Sequence, residues 1–398
     1  MLALCTTLVT SLLVLQEPVL REYVPARGEW EARPAEELGF DGAALTAAAE
    51  FAQAAESEIP LDLARFIEQS FAREMHNDIV GPTNERARQN GMIVVGGYIA
   101  AEWGDTRQPD MTFSVTKTYL STVVGLAVAE GRIASIQDPA ARTVRTPHFE
   151  GERHGRITWD HLLRQTSDWR GDLWGKPSWA DRPPPGQPTE AEQRAVPLRE
   201  PGEAWEYNDV CVNLLAFAAM QVWRKPLPQV LAERVMDPIG ASPTWRWHGY
   251  STSWVTLDGL QMQSVSGGGH HGGGMVVSTR DQARFGLLCL RNGAWGEKQL
   301  VPAKWIEQAR TPTDVRPDYG YMNWFLNAER VGPGGEVSRV WPAAPAGAVC
   351  FRGAGSNLVY LDADADLMIV LRWFDGPRLN ELLELVYGGR MAPVNQGR

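Results

Sequence analysis

The chain has 398 residues, of which 44% are hydrophobic and 22% are charged, a composition typical of globular proteins and sufficient for one large domain or two closely packed ones. Its net charge is −10 at pH 7 and no run of Lys or Arg stands out, which argues against nucleic acid and anionic membranes as partners. The cysteines show no metal-binding spacing, so the sequence predicts no structural zinc site.

The N-terminal segment is the first with a distinct pattern. Residues 1–16 are uncharged and mostly apolar but too short to span a bilayer comfortably, so we predict no stable membrane span. We interpret them as a secretory signal without a basic region, which predicts a periplasmic or extracellular protein. The alternatives are a buried helix or a misplaced start codon, with a cytoplasmic protein. Residues 17–40 are rich in Pro and Glu and are interpreted as a leader arm.

Residues 41–135 alternate between helical and strand patterns. Helical spacing runs over residues 41–88 and breaks near Ile59-Pro60. The stretch GMIVVGGYIAAEWGD (91–105) predicts two strands joined by a hairpin turn at Gly96-Gly97. From Phe113 onward the apolar residues return to helical spacing, and Gly131 is a plausible end of that helix.

The second half of the chain predicts an insertion followed by an antiparallel sheet. Residues 136–263 are rich in Pro and Trp and predict a mostly helical inserted domain, with helices near 161–165 and 210–222. A Gly-rich loop, a strand and a helix follow, and several short strands then run to residue 373 without helices between them. We therefore predict an α/β (α+β) core of residues 41–135 and 264–390, interrupted by the insertion and followed by a tail, 391–398.

A Ser–Lys pair opens the helix that begins near Phe113. Lysine occurs only five times among 38 Lys and Arg residues, so 33 are Arg, which cannot lose its proton in a protein. Ser114 and Lys117 lie three residues apart and would share one helix face, where the amine could serve as base for the hydroxyl. A surface helix can also carry such a pair by chance, but here the following turns are apolar.

A tyrosine precedes a second apolar helical run, WEYNDVCVNLLA (205–216). Tyr207 could relay the proton that Ser114 loses and a leaving group needs. The structural alternative is that Tyr207 only packs at the start of that helix.

Five motifs that occur in order make this interpretation more specific. They are FSVTK (113–117), ITWDHLLRQTS (157–167), EYND (206–209), GGGMVVSTRDQARFG (272–286) and YLDADADLMIVLRW (360–373). Together they resemble the serine β-lactamase-related superfamily, with class C-like β-lactamases, family VIII carboxylesterases, D-aminopeptidases and 6-aminohexanoate-oligomer hydrolases as the nearest branches. The resemblance implies a β-lactamase/penicillin-binding-protein-like antiparallel sheet flanked by helices, Ser114 as acylated nucleophile, Lys117 as base or partner of the base, and Tyr207 as the Tyr of a Y-x-N element.

The sequence departs from the Y-x-N element at its third position, which is Asp209. An Asp would raise the pKa of Lys117 by its charge, whereas an Asn would not. If Asp209 faces Lys117, the lysine stays protonated and Tyr207 becomes the better base. If Asp209 faces away, little changes. Asn208 is an alternative polar partner.

The third element of the superfamily, K-T-G or H-x-G, falls on Phe351-Arg352-Gly353 and lacks its Lys or His. Gly353 fits the pattern, and the N–H of Ala354 would form an oxyanion hole with that of Ser114. Arg352 could bind a substrate carboxylate, although a strand neighbour points to the other face. The absence of this Lys or His argues against β-lactams as the substrates.

Other polar and aromatic residues have weaker interpretations. His270 and His271 lie among glycines, and His271 could line the cleft; a metal is not expected, since no carboxylate or third His has suitable spacing. Trp174 lies with two other Trp in a Pro/Gly-rich loop and either lines the cleft or holds the loop in place. We expect Asp168, Asp172 and Asp181 to be solvated.

We therefore predict hydrolysis of an ester or amide in a small-molecule or peptide-like substrate through an acyl-serine, without cofactor or metal, by a monomer or homodimer. The alternatives are a penicillin-recognising D-Ala-D-Ala peptidase or β-lactamase, and a catalytically inactive peptidoglycan-binding module.

Overall fold

The computed structural model describes residues 23–186 and 188–391. The predicted secretory signal, the first residues of the predicted leader arm and most of the predicted tail lie outside these ranges.

Helices and strands alternate along the described residues. The α-helices are α1 (Gly42–Ala54), α2 (Leu63–Ser70), α3 (Thr116–Ala129), α4 (Trp159–Leu163), α5 (Glu190–Arg194), α6 (Asp209–Trp223), α7 (Leu227–Leu231), α8 (Thr279–Leu290), α9 (Ala303–Ala309) and α10 (Leu379–Gly388). The strands are β1 (Asn90–Val95), β2 (Tyr98–Trp103), β3 (Asp110–Met111), β4 (Asp172–Leu173), β5 (Lys176–Pro177), β6 (Arg246–Leu257), β7 (Leu260–Val265), β8 (Gly274–Val277), β9 (Ala294–Trp295), β10 (Lys298–Gln299), β11 (Phe325–Leu326), β12 (Arg330–Val331), β13 (Val337–Ser338), β14 (Val349–Gly353), β15 (Asn357–Asp362) and β16 (Leu367–Arg372).

The main sheet is antiparallel and has six strands in the order β11-β14-β15-β16-β1-β2. The predicted hairpin is confirmed: β1 and β2 pair, and Gly96 and Gly97 between them have φ of 60° and 85°. Positive φ at both central residues is what a tight hairpin turn with the twist of its strands requires. The predicted antiparallel sheet is also confirmed.

Both faces of the main sheet are covered, because successive side chains of a strand point to opposite sides. Ile93 and Ile369 pack into the core formed with α1 and α10. Met92 and Val370 pack on the other side, in the core that includes α3, α6 and α8. The sheet is therefore the middle layer, and α3 lies within the larger core.

Helix α3 is buried along nearly its whole length, from Thr116 to Ala127. One turn of 3-10 helix, Phe113–Val115, precedes it, and Gly131 follows its end with φ of 69°. The sequence prediction of a helix from Phe113 is thus confirmed. Because α3 is enclosed by the core on all sides, its position is fixed by packing, and so is the position of the turn that leads into it.

Some segments differ from the sequence predictions. The segment 136–263 contains β6 and the greater part of β7, and these strands join β3 and β8 in a second, four-stranded sheet. Gly, Ser and Thr residues obscure the strand pattern there. Helical structure in residues 41–88 ends at Ser70. In the predicted leader arm, Trp30 is buried and its indole N–H donates to the carbonyl of Gly97 at 2.8 Å. The domain boundaries remain a prediction.

Candidate active site

Ser114 lies in the tight turn that leads into α3. Phe113 before it has φ of 47°, in the left-handed region that costs energy for a bulky residue, and its ring is buried. Gly353 at the end of β14 lies against this turn: a Cβ there would lie 3.2 Å from the N of Ser114 and would collide with the carbonyl of Thr112. Only a glycine lets the strand approach the Ser114 backbone so closely.

Lys117 contacts Ser114 one turn along the helix. Its Nζ lies 2.8 Å from Ser114 Oγ and 2.5 Å from Asp209 Oδ1. The Lys117 side chain is fully buried, whereas Ser114 is half-buried. The contact that the i, i+3 spacing predicted is therefore present, and Asp209 faces the lysine.

The charge of Lys117 follows from this contact. Burial alone would lower the pKa of Lys117, but the nearby Asp209 and Tyr207 outweigh burial and raise it above its ordinary value. Lys117 is therefore an ammonium group at neutral pH. It can donate a hydrogen bond to Ser114 Oγ, but it cannot accept the serine proton.

Asp209 is shared by three cationic groups. Its Oδ2 accepts from Arg182 Nη2 at 2.5 Å and lies 3.1 Å from His270 Nδ1, while Oδ1 faces Lys117. Burial would raise the pKa of Asp209, but Lys117 and Arg182 hold it well below its usual range. Asp209 is therefore a carboxylate.

Two further carboxylates close the arrangement. Asp181 accepts from the N of Asp209 and from Arg182 Nη1, both at 2.5 Å. Glu74 accepts from the N of Arg182 at 3.1 Å and lies 2.6 Å from His270 Nε2. The expectation that Asp181 is solvated is wrong, because its side chain is 1% exposed. We call the six side chains the six-charge cluster: Lys117, Arg182 and His270 with Glu74, Asp181 and Asp209.

His270 is the third cation of the six-charge cluster, so three positive side chains face three negative ones. Burial would lower its pKa, but Asp181, Asp209 and Glu74 raise it to about 9. Its ring also stacks on Phe71, with centroids 3.7 Å apart. Neighbouring His271 differs: burial and the charge of His270 lower its pKa to about 2, so it stays neutral.

The stability of the fold should therefore depend on pH through His270. Its folded pKa of about 9 exceeds the ordinary 6.5, so its contribution is fully present below pH 6.5 and is lost as pH rises through about 9. We expect the free energy of unfolding to fall by up to about 3 kcal/mol across that window. Urea unfolding at pH 6.5 and 9.5 measures this fall. His270→Gln should remove it and His248→Gln, on β6, should not; an equal fall in the His270 variant would contradict the assignment.

Two of these cations lie close to the ring of Tyr207. Lys117 Nζ is 4.7 Å and Arg182 Cζ 4.8 Å from the centroid of its half-buried ring. A cation over the ring face is attracted to it, and positive charge nearby favours negative charge that develops on the phenolic oxygen. The tyrosine that the motif predicted is therefore in the same site as Lys117.

Asn208, the alternative polar partner predicted for Lys117, has other partners. It is the N-cap of α6: its Oδ1 accepts from the N of Cys211 at 3.1 Å, and its Nδ2 donates to the carbonyl of Ser178 at 2.8 Å. An N-cap residue satisfies a free N–H of the first helical turn. Asn208 thus fixes the helix that carries Asp209.

Asn323 is a site residue that the sequence analysis missed. Its Nδ2 donates to the carbonyl of Ser114 at 2.5 Å, and its Oδ1 accepts from the N of Arg352 at 3.0 Å. Its own N donates to Tyr319 Oη at 3.1 Å, and that hydroxyl bonds Gln165 Nε2 at 2.6 Å. One amide therefore holds the Ser114 turn and β14 together.

Replacing Asn323 with alanine should reduce kcat about tenfold while leaving KM nearly unchanged. The two lost hydrogen bonds set the spacing of the Ser114 turn and β14, and each is worth on the order of 1 kcal/mol. Steady-state ester hydrolysis by N323A measures the effect. Asn327→Ala, which removes an amide that bonds only the 341–345 segment, is the control. An unchanged kcat in N323A would show that this spacing does not matter.

The remaining residues that the sequence predicted for the site have different surroundings. Ala354 packs in the small cluster that contains Phe113. Arg352 is exposed, with its guanidinium 5.4 Å from the ring centroid of Phe325. Trp174 makes edge contacts with two core aromatics, Phe217 and Tyr250. These contacts favour the loop-holding interpretation of Trp174.

Two groups of side chains bring potential metal ligands within 4.8 Å of one another: Glu74, His270 and His271, and Asp181, Asp209 and His270. The expectation that no carboxylate lies near the histidines is therefore wrong, because the fold brings Glu74 to His270. Both ring nitrogens of His270 already bond carboxylates, and the charges of the six-charge cluster balance. Hydrogen bonding accounts for the arrangement.

The chain belongs to the Beta-lactamase family, whose model matches residues 104–373, more than half of its length. Members of this family are serine hydrolases. An uncharacterized protein of Alkalihalophilus pseudofirmus is 25% identical over 228 residues, which are 54% of this chain and 59% of that protein. The chain thus spans about three fifths of the length of the curated relative it matches.

Solved structures show the same fold at low identity. A putative 6-aminohexanoate-dimer hydrolase from Bacillus anthracis is 19% identical with a TM-score of 0.51, over 75% of this chain and 77% of that one. EstCE1, described as a hydrolase with promiscuous acyltransferase activity, is 17% identical with a TM-score of 0.53, over 82% and 97%. A putative β-lactamase from Bacteroides dorei is 17% identical with a TM-score of 0.52, over 76% and 93%. Within residues 23–186 and 188–391, no helix has the length and apolarity to cross a membrane.

Proposed function

We propose that the protein is a serine hydrolase that cleaves an ester or amide bond through an acyl-enzyme on Ser114. The observation that carries the proposal is the 2.8 Å hydrogen bond between Lys117 Nζ and Ser114 Oγ at the start of a buried helix. Membership of a family of serine hydrolases supports it.

In the proposed acylation, Ser114 Oγ attacks the substrate carbonyl carbon and loses its proton. Tyr207, as phenolate, accepts that proton, because Lys117 is already charged through Asp209. The ammonium of Lys117 stays hydrogen-bonded to Oγ throughout. When the tetrahedral intermediate collapses, the proton on Tyr207 passes to the leaving alcohol or amine. Water then attacks the acyl-serine and gives a proton to Tyr207. When this second intermediate collapses, the bond to Ser114 Oγ breaks, the proton passes from Tyr207 to Oγ, and the acid is released.

The developing oxyanion would be held by the backbone N–H groups of Ser114 and Ala354. The close approach of Gly353 to the Ser114 backbone supports this pairing, because Ala354 follows directly on the same chain segment. The N-terminal end of α3 adds favourable potential for negative charge. Backbone donors need no particular side chain, so the loss of Lys or His at Phe351 leaves them in place.

A fluorophosphonate probe, followed by mapping of the adduct by mass spectrometry, tests the nucleophile. We expect labelling at Ser114 and turnover of p-nitrophenyl butyrate. Folded protein that is neither labelled nor active would overturn the proposal, and a stoichiometric burst without turnover would favour a binding module. Nitrocefin and D-Ala-D-Ala peptides then test β-lactam and peptide substrates, for which the absence of a Lys or His at Phe351 is unfavourable.

A further inference from the structure

We propose that Arg182 is a positioning residue that balances the charge of Asp209, so that the two act as one unit in holding Lys117 and Tyr207 for catalysis. This inference rests on the proposed function above. No motif contains Arg182, and its position before a Pro-rich stretch gave no signal in the sequence.

The argument begins with the cost of a carboxylate at position 209. Asp209 is almost completely buried, and a buried charge is expensive unless each of its lone pairs has a partner. Lys117 occupies Oδ1 only. At Oδ2, Arg182 is the nearer of two partners, at 2.5 Å against 3.1 Å for His270, and it also holds Asp181 with its other nitrogen. A planar guanidinium can serve two carboxylates in this way, whereas an ammonium acts as a point charge.

Arg182 also acts on both proposed catalytic groups. It opposes the effect of Asp209 on the pKa of Lys117, and its guanidinium lies 4.8 Å from the centroid of the Tyr207 ring. Without Arg182, Asp209 would hold Lys117 more strongly, and Tyr207 would lose one of two flanking cations. The side chain of Arg182 contacts Asp181, Asp209 and the ring of Tyr207, so it acts on Ser114 through other side chains.

Every element around Asp209 contributes a charged or titratable group. Lys117 comes from α3, Asp181 and Arg182 from the segment after β5, His270 from the loop before β8, and Glu74 from the segment after α2. Three further groups near Asp209 are neutral at pH 7. Burial raises the pKa of Tyr250 and of Tyr319, and it lowers the pKa of His271 to about 2.

Charge balance yields a specific double-mutant test. Arg182→Met leaves the six-charge cluster one negative charge in excess, and Asp209→Asn leaves it one positive charge in excess. The double variant restores balance, and its Asn can still hydrogen-bond Lys117. We expect each single variant to lose at least about tenfold in kcat/KM, and the double variant to be more active than either.

Rescue by a charge-conserving variant separates this role from a purely structural one. R182K keeps a positive charge near the Asp209 carboxylate and should retain more of the wild-type kcat/KM than R182M, which removes that charge. The exposed pair Arg156 and Glu200, 2.9 Å apart, provides the control: R156M, E200Q and their combination should all behave as wild type.

The outcomes are distinguishable. If wild-type protein is not labelled at Ser114, the proposed function fails. The coupling of Arg182 and Asp209 is then measured from the urea unfolding midpoints of wild type, the two single variants and the double variant. If wild type is active but R182M matches it, or the losses of the double variant equal the product of the single losses, the inference is overturned. Should R182M fail to fold, a double variant that folds and turns over supports the pairing, and one that is as impaired refutes it.

Discussion

Ser114→Ala is expected to abolish ester hydrolysis, lowering kcat/KM by about a thousandfold or more, and to prevent fluorophosphonate labelling. The alanine methyl group has no electron pair to attack a carbonyl, and nothing else in the turn replaces Oγ. Because Ser114 Oγ only accepts a hydrogen bond from Lys117, its removal should leave the fold intact. Steady-state kinetics and intact-mass spectrometry measure both effects.

Ser121→Ala is the matched control for this variant. Ser121 lies on α3, the helix that directly follows the Ser114 turn, is 1% exposed, and its Oγ has no hydrogen-bond partner among the described residues. We expect S121A to keep wild-type kcat/KM and full labelling. Comparable turnover by S114A and S121A would show that Ser114 is not the nucleophile.

Lys117→Arg should lower kcat/KM by at least about a hundredfold even though it keeps the positive charge. Lys117 Nζ fits between Ser114 Oγ and Asp209 Oδ1, and a Cβ added at the adjoining Gly268 would collide with both Nζ and the Asp209 carboxylate. A guanidinium is larger and planar, so it cannot take this place without displacing Asp209 or the loop at Gly268.

Lys225→Arg is the control for charge-conserving substitution, since the Lys225 side chain is partly exposed and its one ion pair within residues 23–186 and 188–391 is with Glu233. It should leave activity and unfolding unchanged. If K117R retained wild-type activity, neither the size nor the point-charge geometry of the ammonium would be required, and the arrangement around Asp209 would need another explanation.

Local patterns predicted the parts of the fold that are decided locally. The Gly96-Gly97 hairpin follows from the conformational freedom of two adjacent glycines between apolar runs, and α3 follows from apolar spacing after Phe113. The long strand β6 was missed because its sequence, RWHGYSTSWVTL, mixes small polar residues with aromatic ones, and its pairing with β7 and β8 supplies what propensity does not.

In the candidate site, too, only the contacts that depend on local chain geometry were predictable from the sequence. Ser114 and Lys117 are three residues apart on one helix, so their contact is a local consequence of helical geometry. The position of Asp209 could only be stated as a condition, because it depends on how α6 packs against α3. Arg182 and Asn323 gave no signal, since their partners are 27 and 209 residues away.

The six-charge cluster also has a consequence for refolding. Its members come from five stretches of the chain between residues 74 and 270, so every contact in it except that of the neighbours Asp181 and Arg182 is long-range. Closing such distant contacts is slow, because loop entropy must be overcome before the contacts form. In refolding from urea, far-UV helical signal should therefore recover first. Hydrolytic activity should return last, as a reporter of long-range assembly.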